Sequence, residues 1–308
     1  MKNTLIFGAL IIIFGIGTYF ILTREPKTTN ETPITETPVV TNTTPQETTT
    51  ASTTETVDSD TDGTTIIGSS SGEHDIAAYH YGTGDTEVLF VGGIHGGYSW
   101  NTTLVAYELM NYLEKNPTAI PEGVKVTVIP VLNPDGLTKI VGTTEAFSKA
   151  DVPQGVGATI PGRFNDNDVD LNRNFDCDWK ATGTWQNRTV SGGSKAFSEP
   201  ESQAFRDYVT DAEPSAVVVW YSAAGGVYSS NCHNGVLPET KTLTNIYAQA
   251  SEYPAHESFD YYEITGDAVN WLAKIGVPAI SVLLTTHEDT EWEKNKAGIE
   301  AVLKHYAQ

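Results

Sequence analysis

The sequence has few cysteines and few basic residues for its length. Its 308 residues include two cysteines, and its 18 lysines and arginines stand against 39 aspartates and glutamates. Two cysteines cannot build a zinc ribbon or a disulfide-dense scaffold. A formal net charge of -21 argues against a nucleic-acid partner, because phosphate binding depends on lysine and arginine. The composition also changes along the chain, which divides into three segments.

The first segment, residues 1–27, is predicted to be a membrane anchor. Residues 4–22 form a run of 19 residues without a charge. At about 1.5 Å per residue, a helix of this length just spans a hydrocarbon core of about 30 Å. A cleavable signal peptide is the alternative, but it usually has a shorter apolar region and small residues at its cleavage site. We therefore expect one uncleaved transmembrane helix.

The second segment, residues 28–65, is predicted to be a disordered stalk. It holds 17 threonines in 38 positions, seven acids and no lysine or arginine. Without apolar periodicity it cannot bury enough surface to offset its ordering entropy. Stretches rich in Ser, Thr and Pro form stalks that can carry O-linked glycans. We expect this stalk to hold the C-terminal part outside the cytoplasm, with a cytoplasmic tether as the alternative.

The third segment, residues 66–308, is predicted to be one α/β domain. Strands alternating with helices favour a mixed, mostly parallel central sheet with helices on both faces. Apolar runs predict strands at 87–95, 125–132, 216–220 and 279–284, and helical patterns predict helices at 102–113, 268–275 and 292–306, with a serine-capped helix start at 198–201. The functional site of such a sheet lies at the carboxyl ends of its strands.

Four polar patches follow the predicted strands or connect them. They read GGIHGGYSW at 92–100, NPDG at 133–136, RFN at 163–165 with DLNRNF at 170–175, and YEITGD at 262–267. Taken alone, NPDG indicates a turn, and a histidine after a strand is more often a packing residue than a ligand. In this order and at these separations, the patches resemble the zinc carboxypeptidases of the carboxypeptidase A type over about residues 73–306.

The resemblance implies a fold, a metal and a set of site residues. Members of this family hold zinc with two histidines and a glutamate, and a second glutamate acts as the general base. Zinc lowers the pKa of bound water, and a fixed guanidinium selects a chain terminus by bidentate pairing. Residue by residue, the first zinc ligand falls on His95, the carboxylate-binding pair on Asn172 and Arg173, the carbonyl-polarising arginine on Arg163, and the mobile tyrosine on Tyr262.

Three positions of this sequence depart from the family pattern. The glutamate ligand belongs three or four residues after His95, where Tyr98 and Ser99 stand. The second histidine ligand aligns with Tyr221. The general base aligns with Leu283, or else with the next residue, which is also leucine. A single imidazole is too weak a zinc site when protein zinc sites use three or four protein ligands. We therefore expect no zinc cofactor here.

Other residues offer little compensation. His287, Glu288, Asp289 and Glu291 carry ligand-type side chains, but their spacing matches no zinc pattern, and a capped helix start before Trp292 explains them better. Cys177 and Cys232 both fall in loops. An extracytoplasmic location permits a disulfide between them, and two buried thiols are the alternative.

The sequence thus favours a membrane-tethered, catalytically inactive carboxypeptidase-like ectodomain. Its retained residues would bind the C-terminal carboxylate of a peptide or of a peptidoglycan stem. By its place in the resemblance, Val269 would form the pocket floor and favour an apolar C-terminal side chain. The alternatives are an active zinc carboxypeptidase with substitute ligands, a carboxylate site that persists only as structure, and a sequence altered deliberately at these positions.

Overall fold

The computed structural model describes residues 63–308. The predicted membrane anchor lies outside these residues, as does the predicted stalk up to residue 62. Within residues 63–308, no helix has both the length and the apolar character needed to cross a membrane.

An eight-stranded mixed sheet organises this part of the chain, in the order β1-β2-β4-β3-β7-β10-β8-β9. Its strands, and those of a separate β5-β6 hairpin, are β1 Thr64–Ser69, β2 Asp75–Tyr81, β3 Thr86–Val91, β4 Val124–Ile129, β5 Thr182–Trp185, β6 Arg188–Ser191, β7 Ala216–Ser222, β8 Gly226–Ser229, β9 Ala255–His256 and β10 Ala279–Leu284. The central strands β4, β3, β7 and β10 are parallel, which confirms the predicted mixed, mostly parallel sheet.

Helices cover both faces of the sheet. The α-helices are α1 Trp100–Lys115, α2 Pro134–Val141, α3 Val156–Thr159, α4 Pro200–Ala212, α5 Pro238–Ser251, α6 Ala268–Lys274 and α7 Trp292–Tyr306. Apolar residues of α1, α5 and α7 form one core cluster with one face of the central strands. Apolar residues of α4 and α6 form a second cluster with the opposite face. The two cores explain why the central strands are continuous apolar runs.

Two predicted local structures are wrong in detail. The NPDG sequence begins helix α2 rather than an isolated turn, because the Asn133 side chain accepts a hydrogen bond from Gly136 N at 2.8 Å and Pro134 occupies the first helical turn. Ser198 does not cap α4. The N-cap is Glu199, whose side chain makes no capping bond, and Ser198 Oγ donates to Glu199 Oε1 at 2.7 Å.

The domain also begins earlier than the composition indicates. Strand β1 starts at Thr64, inside the predicted stalk, and its Thr65 pairs with Ala78 of β2. Threonine is β-branched and suits a strand whenever a partner strand is present. Threonine content alone therefore does not mark where the stalk ends.

Candidate ligand-binding site

A cavity of about 680 Å³ opens at the carboxyl ends of β3, β7 and β10. Its wall contains nine of the residues named individually from the sequence: His95, Tyr98, Arg163, Asn172, Tyr221, Tyr262, Val269, Leu283 and His287. These residues come from widely separated parts of the chain, and the parallel strands bring them to one edge of the sheet. Arg173 and Ser99 are buried nearby but do not line the cavity.

His95 lies just beyond the end of β3. Gly93 makes the turn into this segment at φ +61°, and a Cβ there would meet Thr103 Oγ1 at 2.8 Å. His95 is 5% exposed, and neither ring nitrogen has a hydrogen-bond partner among residues 63–308. Its Nε2 lies 3.6 Å from Asp170 Oδ1. Burial lowers the pKa of His95 well below its usual value, and the charges of Arg163 and Arg173 lower it further, so the ring is neutral.

Arg163 is held rigidly at the cavity wall. Its Nε and Nη2 both lie 2.8 Å from Asp170 Oδ2, and the Asp170 carboxylate is fully buried. The guanidinium carbon also sits 4.5 Å from the centroid of the Trp185 ring. The ion pair fixes the position of the guanidinium and offsets part of its charge.

Asn172 is fixed by three hydrogen bonds. Its Nδ2 donates to Asp267 Oδ2 at 2.8 Å. Its Oδ1 accepts from Ala268 N at 3.1 Å and from the Tyr221 hydroxyl at 3.2 Å. Burial raises the pKa of Asp267, while hydrogen bonds from Asn270 N and Asn172 work in the opposite direction. The amide is therefore pre-oriented, with its nitrogen side toward Asp267.

Arg173 is 1% exposed and is anchored by backbone carbonyls. Its Nη1 donates to Asn172 O at 2.9 Å and its Nη2 to Thr184 O at 3.3 Å. Its Nε has no hydrogen-bond partner among the residues that the structure describes. The guanidinium carbon lies 5.6 Å from the Tyr262 ring centroid, and Tyr262 itself lines the cavity. Tyr262 is thus both a lining residue of the cavity and a neighbour of the Arg173 guanidinium.

The residues around His95 do not fit a zinc ion. The Ser99 hydroxyl is buried without a partner in residues 63–308, the Tyr221 hydroxyl is engaged by Asn172, and Leu283 offers no donor atom. No group of three or more His, Cys, Asp or Glu side chains within the described range could hold a metal ion. A catalytic zinc site needs three protein ligands, and this position supplies one imidazole.

His287 has a different place from the one predicted for it. It lines the cavity, its Nδ1 lies 3.0 Å from Ser222 Oγ, and its ring centroid lies 4.6 Å from that of Tyr98. Burial and the Arg163 charge lower its pKa. Helix α7 begins at Trp292 as expected, but the expected cap is wrong, because Glu291 precedes the helix at φ 48° and its side chain makes no capping bond. Its carboxylate instead accepts hydrogen bonds from Thr285.

Two further features support the walls of the cavity. Cys177 and Cys232 form a disulfide with a Cα–Cα distance of 6.2 Å. Val269 is buried in the first turn of α6 and lines the cavity.

Two carboxylates of the polar patches hold site residues in place, although the sequence alone indicates no role for them. Asp170 opens the DLNRNF string and pairs with Arg163, and Asp267 closes YEITGD and holds Asn172. A chemical signal could have found Asp170, because a buried arginine needs a partner and Asp170 is the acid in the same patch as Arg163. Asp267 had no such local signal, because it lies in another patch, 95 residues from Asn172.

Comparison with known proteins decides the family. The model of the zinc carboxypeptidase family matches residues 40–300. The chain belongs to the zinc carboxypeptidase family. This confirms the resemblance carried by the NPDG and DLNRNF motifs.

Two curated relatives are similar to this zinc carboxypeptidase family member over part of their length. Metallocarboxypeptidase A of Arthroderma otae is 25% identical over 212 residues, which is 61% of this chain and 48% of the relative. The human carboxypeptidase N catalytic chain is 26% identical over 185 residues, which is 58% of this chain and 34% of the relative. The chain therefore spans half or less of the length of these relatives.

Solved structures show the same fold at lower identity. Carboxypeptidase A from Helicoverpa armigera has a TM-score of 0.60 at 18% identity, covering 79% of this chain and 68% of that one. Murein-tripeptide amidase MpaA from Escherichia coli O157 has a TM-score of 0.54 at 19% identity, covering 80% of this chain and 92% of that one. At these identities the likeness concerns the fold alone.

Proposed function

We propose that this protein binds the C-terminal carboxylate of a peptide without hydrolysing the peptide. The observation that carries the proposal is a selective retention of residues in the cavity wall and directly beside it. The hydrogen-bonded Asn172 and the neighbouring Arg173 are in place, whereas the metal and base positions hold Ser99, Tyr221 and Leu283. Carboxylate binding needs Asn172 and Arg173, whereas peptide hydrolysis by this family needs the metal ligands and the general base.

The cavity wall includes three acids, Asp178, Glu263 and Asp267, so a carboxylate would be bound by individual donor groups rather than by the net charge of the wall. Asn172 presents its amide on the wall, and an amide nitrogen carries a second N–H besides the one given to Asp267. Arg173 has an Nε without a partner among residues 63–308 and lies next to the Tyr262 ring. A ligand reaches the guanidinium once the Tyr262 ring moves aside. The resulting charge-assisted bond is stronger than a neutral one.

The ligand class follows from the family and from the cavity floor. Relatives named carboxypeptidase act on peptide C-termini by the meaning of that name, and one structural neighbour is a murein-tripeptide amidase. These names support a peptide or a peptidoglycan stem as the ligand. Val269 at the floor favours an apolar or aromatic C-terminal side chain.

The cellular setting is part of the same proposal. An uncharged run at residues 4–22 and the threonine-rich residues 28–65 support a membrane-tethered domain on the extracytoplasmic side. Peptidoglycan stems lie on that side of a bacterial membrane, so the tether would place the cavity near such a ligand.

We expect peptides ending in a free carboxylate to bind about a hundredfold more tightly than their C-terminal amides. Arg173→Ala should abolish this preference, because it removes the charge that the amide cannot use. Arg188→Ala is the matched control, since Arg188 is exposed and lies near the cavity, 6.0 Å from the Trp185 ring. The measurement is calorimetric titration of each acid–amide pair. Equal binding of acid and amide by the unmutated protein would mean that the site persists only as structure.

We expect the purified full chain to retain far less than one zinc per molecule after dialysis. The physical reason is that only His95 of the three ligand positions can coordinate the metal. Elemental analysis measures this directly, with an active family member dialysed in parallel as the control. Stoichiometric zinc would contradict the proposal and favour an active carboxypeptidase with substitute ligands.

A further inference from the structure

Tyr221 stands where the family has its second histidine ligand, and its hydroxyl makes a hydrogen bond to another site residue. It is 5% exposed and donates a hydrogen bond to Asn172 Oδ1 at 3.2 Å, and its ring centroid lies 5.6 Å from that of His95. We infer that Tyr221 is a positioning residue for carboxylate recognition, acting by holding the Asn172 amide in its binding orientation. The inference rests on the proposed function.

The first step concerns the two ends of the amide. An amide can flip, exchanging its acceptor and donor ends, and only its surroundings decide which end faces where. The Asp267 carboxylate accepts from Nδ2 at 2.8 Å. A phenol at neutral pH has a proton to donate, and the Tyr221 hydroxyl gives it to Oδ1. A flip would place Oδ1 against a carboxylate and Nδ2 against Ala268 N–H.

The second step concerns what the orientation leaves for a ligand. With Nδ2 turned toward Asp267, one of its two N–H groups is used and the other can serve a carboxylate in the cavity. The Tyr221 hydroxyl is the side-chain donor that holds the opposite end. Without it, Ala268 N alone would restrain Oδ1, and the amide would sample orientations less suited to an anion.

The third step is an exchange of roles at position 221. In this cavity the aromatic ring packs beside His95, and the phenol reaches Asn172. Imidazole is shorter than phenol, so a histidine here could serve as a metal ligand but would not reproduce the phenol's bond to Asn172. The substitution therefore exchanges a metal ligand for support of the carboxylate site. Tyr221→His alone should weaken carboxylate binding as Tyr221→Phe does.

The test is the ratio of acid to amide affinity in Tyr221→Phe, measured by titration with the same peptide pair. We expect the ratio to fall about fivefold, the effect of losing one buried hydrogen bond. Tyr98→Phe is the matched control. Tyr98 is also buried and lines the cavity, but its hydroxyl accepts from Gln186 at 3.0 Å rather than contacting Asn172. The acid-to-amide affinity ratio of Tyr98→Phe should equal that of the unmutated protein.

A double-mutant cycle separates positioning from a general structural effect. In an Asn172→Ala background, Tyr221→Phe should change the ratio no further, because Tyr221 acts through Asn172. The inference would be overturned if Tyr221→Phe kept the acid-to-amide affinity ratio of the unmutated protein, or if it lowered the ratio equally with and without Asn172→Ala. Either result would leave the proposed function standing. The absence of any acid preference in the unmutated protein is a different result, and it would overturn the proposed function itself.

Discussion

Replacing Glu201 with glutamine should stabilise the protein more and more as the pH rises from 4.5 to 8. Glu201 lies on α4, is 0% exposed, and accepts hydrogen bonds from Ser71 N at 3.0 Å and from Asn165 Nδ2. Burial raises the pKa of its carboxyl from 4.5 to about 7, with the nearby Asp135 charge adding to the rise and these hydrogen bonds opposing it. The charged form is therefore costly in the folded protein.

The direction of this pH dependence follows from comparing the pKa of Glu201 in the folded and unfolded chains. Because the folded pKa is raised, the unfolded state loses its proton first, and the free energy of unfolding falls as the pH rises through the interval from 4.5 to about 7. A shift of this size corresponds to about 3 kcal/mol. Glutamine keeps an acceptor oxygen and carries no charge, so the variant should escape this loss.

The measurement is a denaturant titration of both proteins at pH 4.5, 6 and 8. The difference between the two free energies of unfolding should grow by about 3 kcal/mol across this range. Glu122→Gln serves as the control for loss of one negative charge, since Glu122 is exposed. If the free energies of unfolding of Glu201→Gln and of the unmutated protein changed with pH in parallel, ionisation of Glu201 would not destabilise the folded state.

Glu201 also shows how far a local sequence pattern can be interpreted. Its position near the start of α4 predicts an acid that interacts with the helix dipole. Glu201 does lie in the first turn of α4, but the structure also buries it against the turn after β1, where Ser71 also donates to Asp135 at 2.7 Å. Burial alone would raise the pKa of Asp135, but hydrogen bonds from Ser70 and Ser71 outweigh it and the pKa is lowered. The turn lies 130 residues from Glu201 in sequence, so no local pattern predicts the contact.

The central strands were predictable because both of their faces are buried. A strand such as β10, which is buried at every position, appears in the sequence as an unbroken apolar run. The edge strand β1 mixes partly buried and exposed residues without a regular alternation, and β9 has only two residues, so neither stands out. The same physics explains why the central strands of the sheet were predicted and the strands at its margins were not.

The candidate site was predictable in its members but not in its bonds. The sequence motifs predict that Asn172 and Tyr221 both belong to the site. Their hydrogen bond depends on how the polar loop before β5 and strand β7 meet, across a separation of 49 residues. The bond from Asn172 to Asp267 spans 95 residues. Resemblance names the positions, whereas the role of a substituted residue comes only from its three-dimensional neighbours.

Putting the family's residues back should create both a metal site and an activity. The triple variant Ser99→Glu, Tyr221→His and Leu283→Glu should bind one zinc and cleave C-terminal residues measurably, whereas we expect no cleavage by the unmutated protein. Tyr221 and Leu283 are partners in the parallel pairing of β7 and β10, so the new histidine and glutamate would stand side by side near His95. Each single change should do little, because metal and base act as one unit.

Two effects oppose the gain in the triple variant. Leu283 is 7% exposed, so a glutamate there costs several kcal/mol on an order-of-magnitude view unless the metal and Arg163 compensate it. Losing the Tyr221 hydroxyl also removes a bond to Asn172, so the Michaelis constant should be higher than that of active relatives. Thermal melting with and without zinc distinguishes a destabilised fold from a metal-stabilised one.

Matched variants make the restoration experiment decisive about each position. With Leu283→Gln in place of Leu283→Glu, the triple variant should still bind zinc but cleave nothing, because glutamine cannot take a proton from water. With Tyr98→Glu in place of Ser99→Glu, zinc should be lost, since Tyr98 points to Trp185 and His287 with its ring. If the triple variant with Leu283→Glu binds stoichiometric zinc and yet cleaves no peptide, the general base belongs at another position. Failure of all these variants to bind zinc, in proteins that melt cooperatively, would show that the metal ligands have been assigned to the wrong residues.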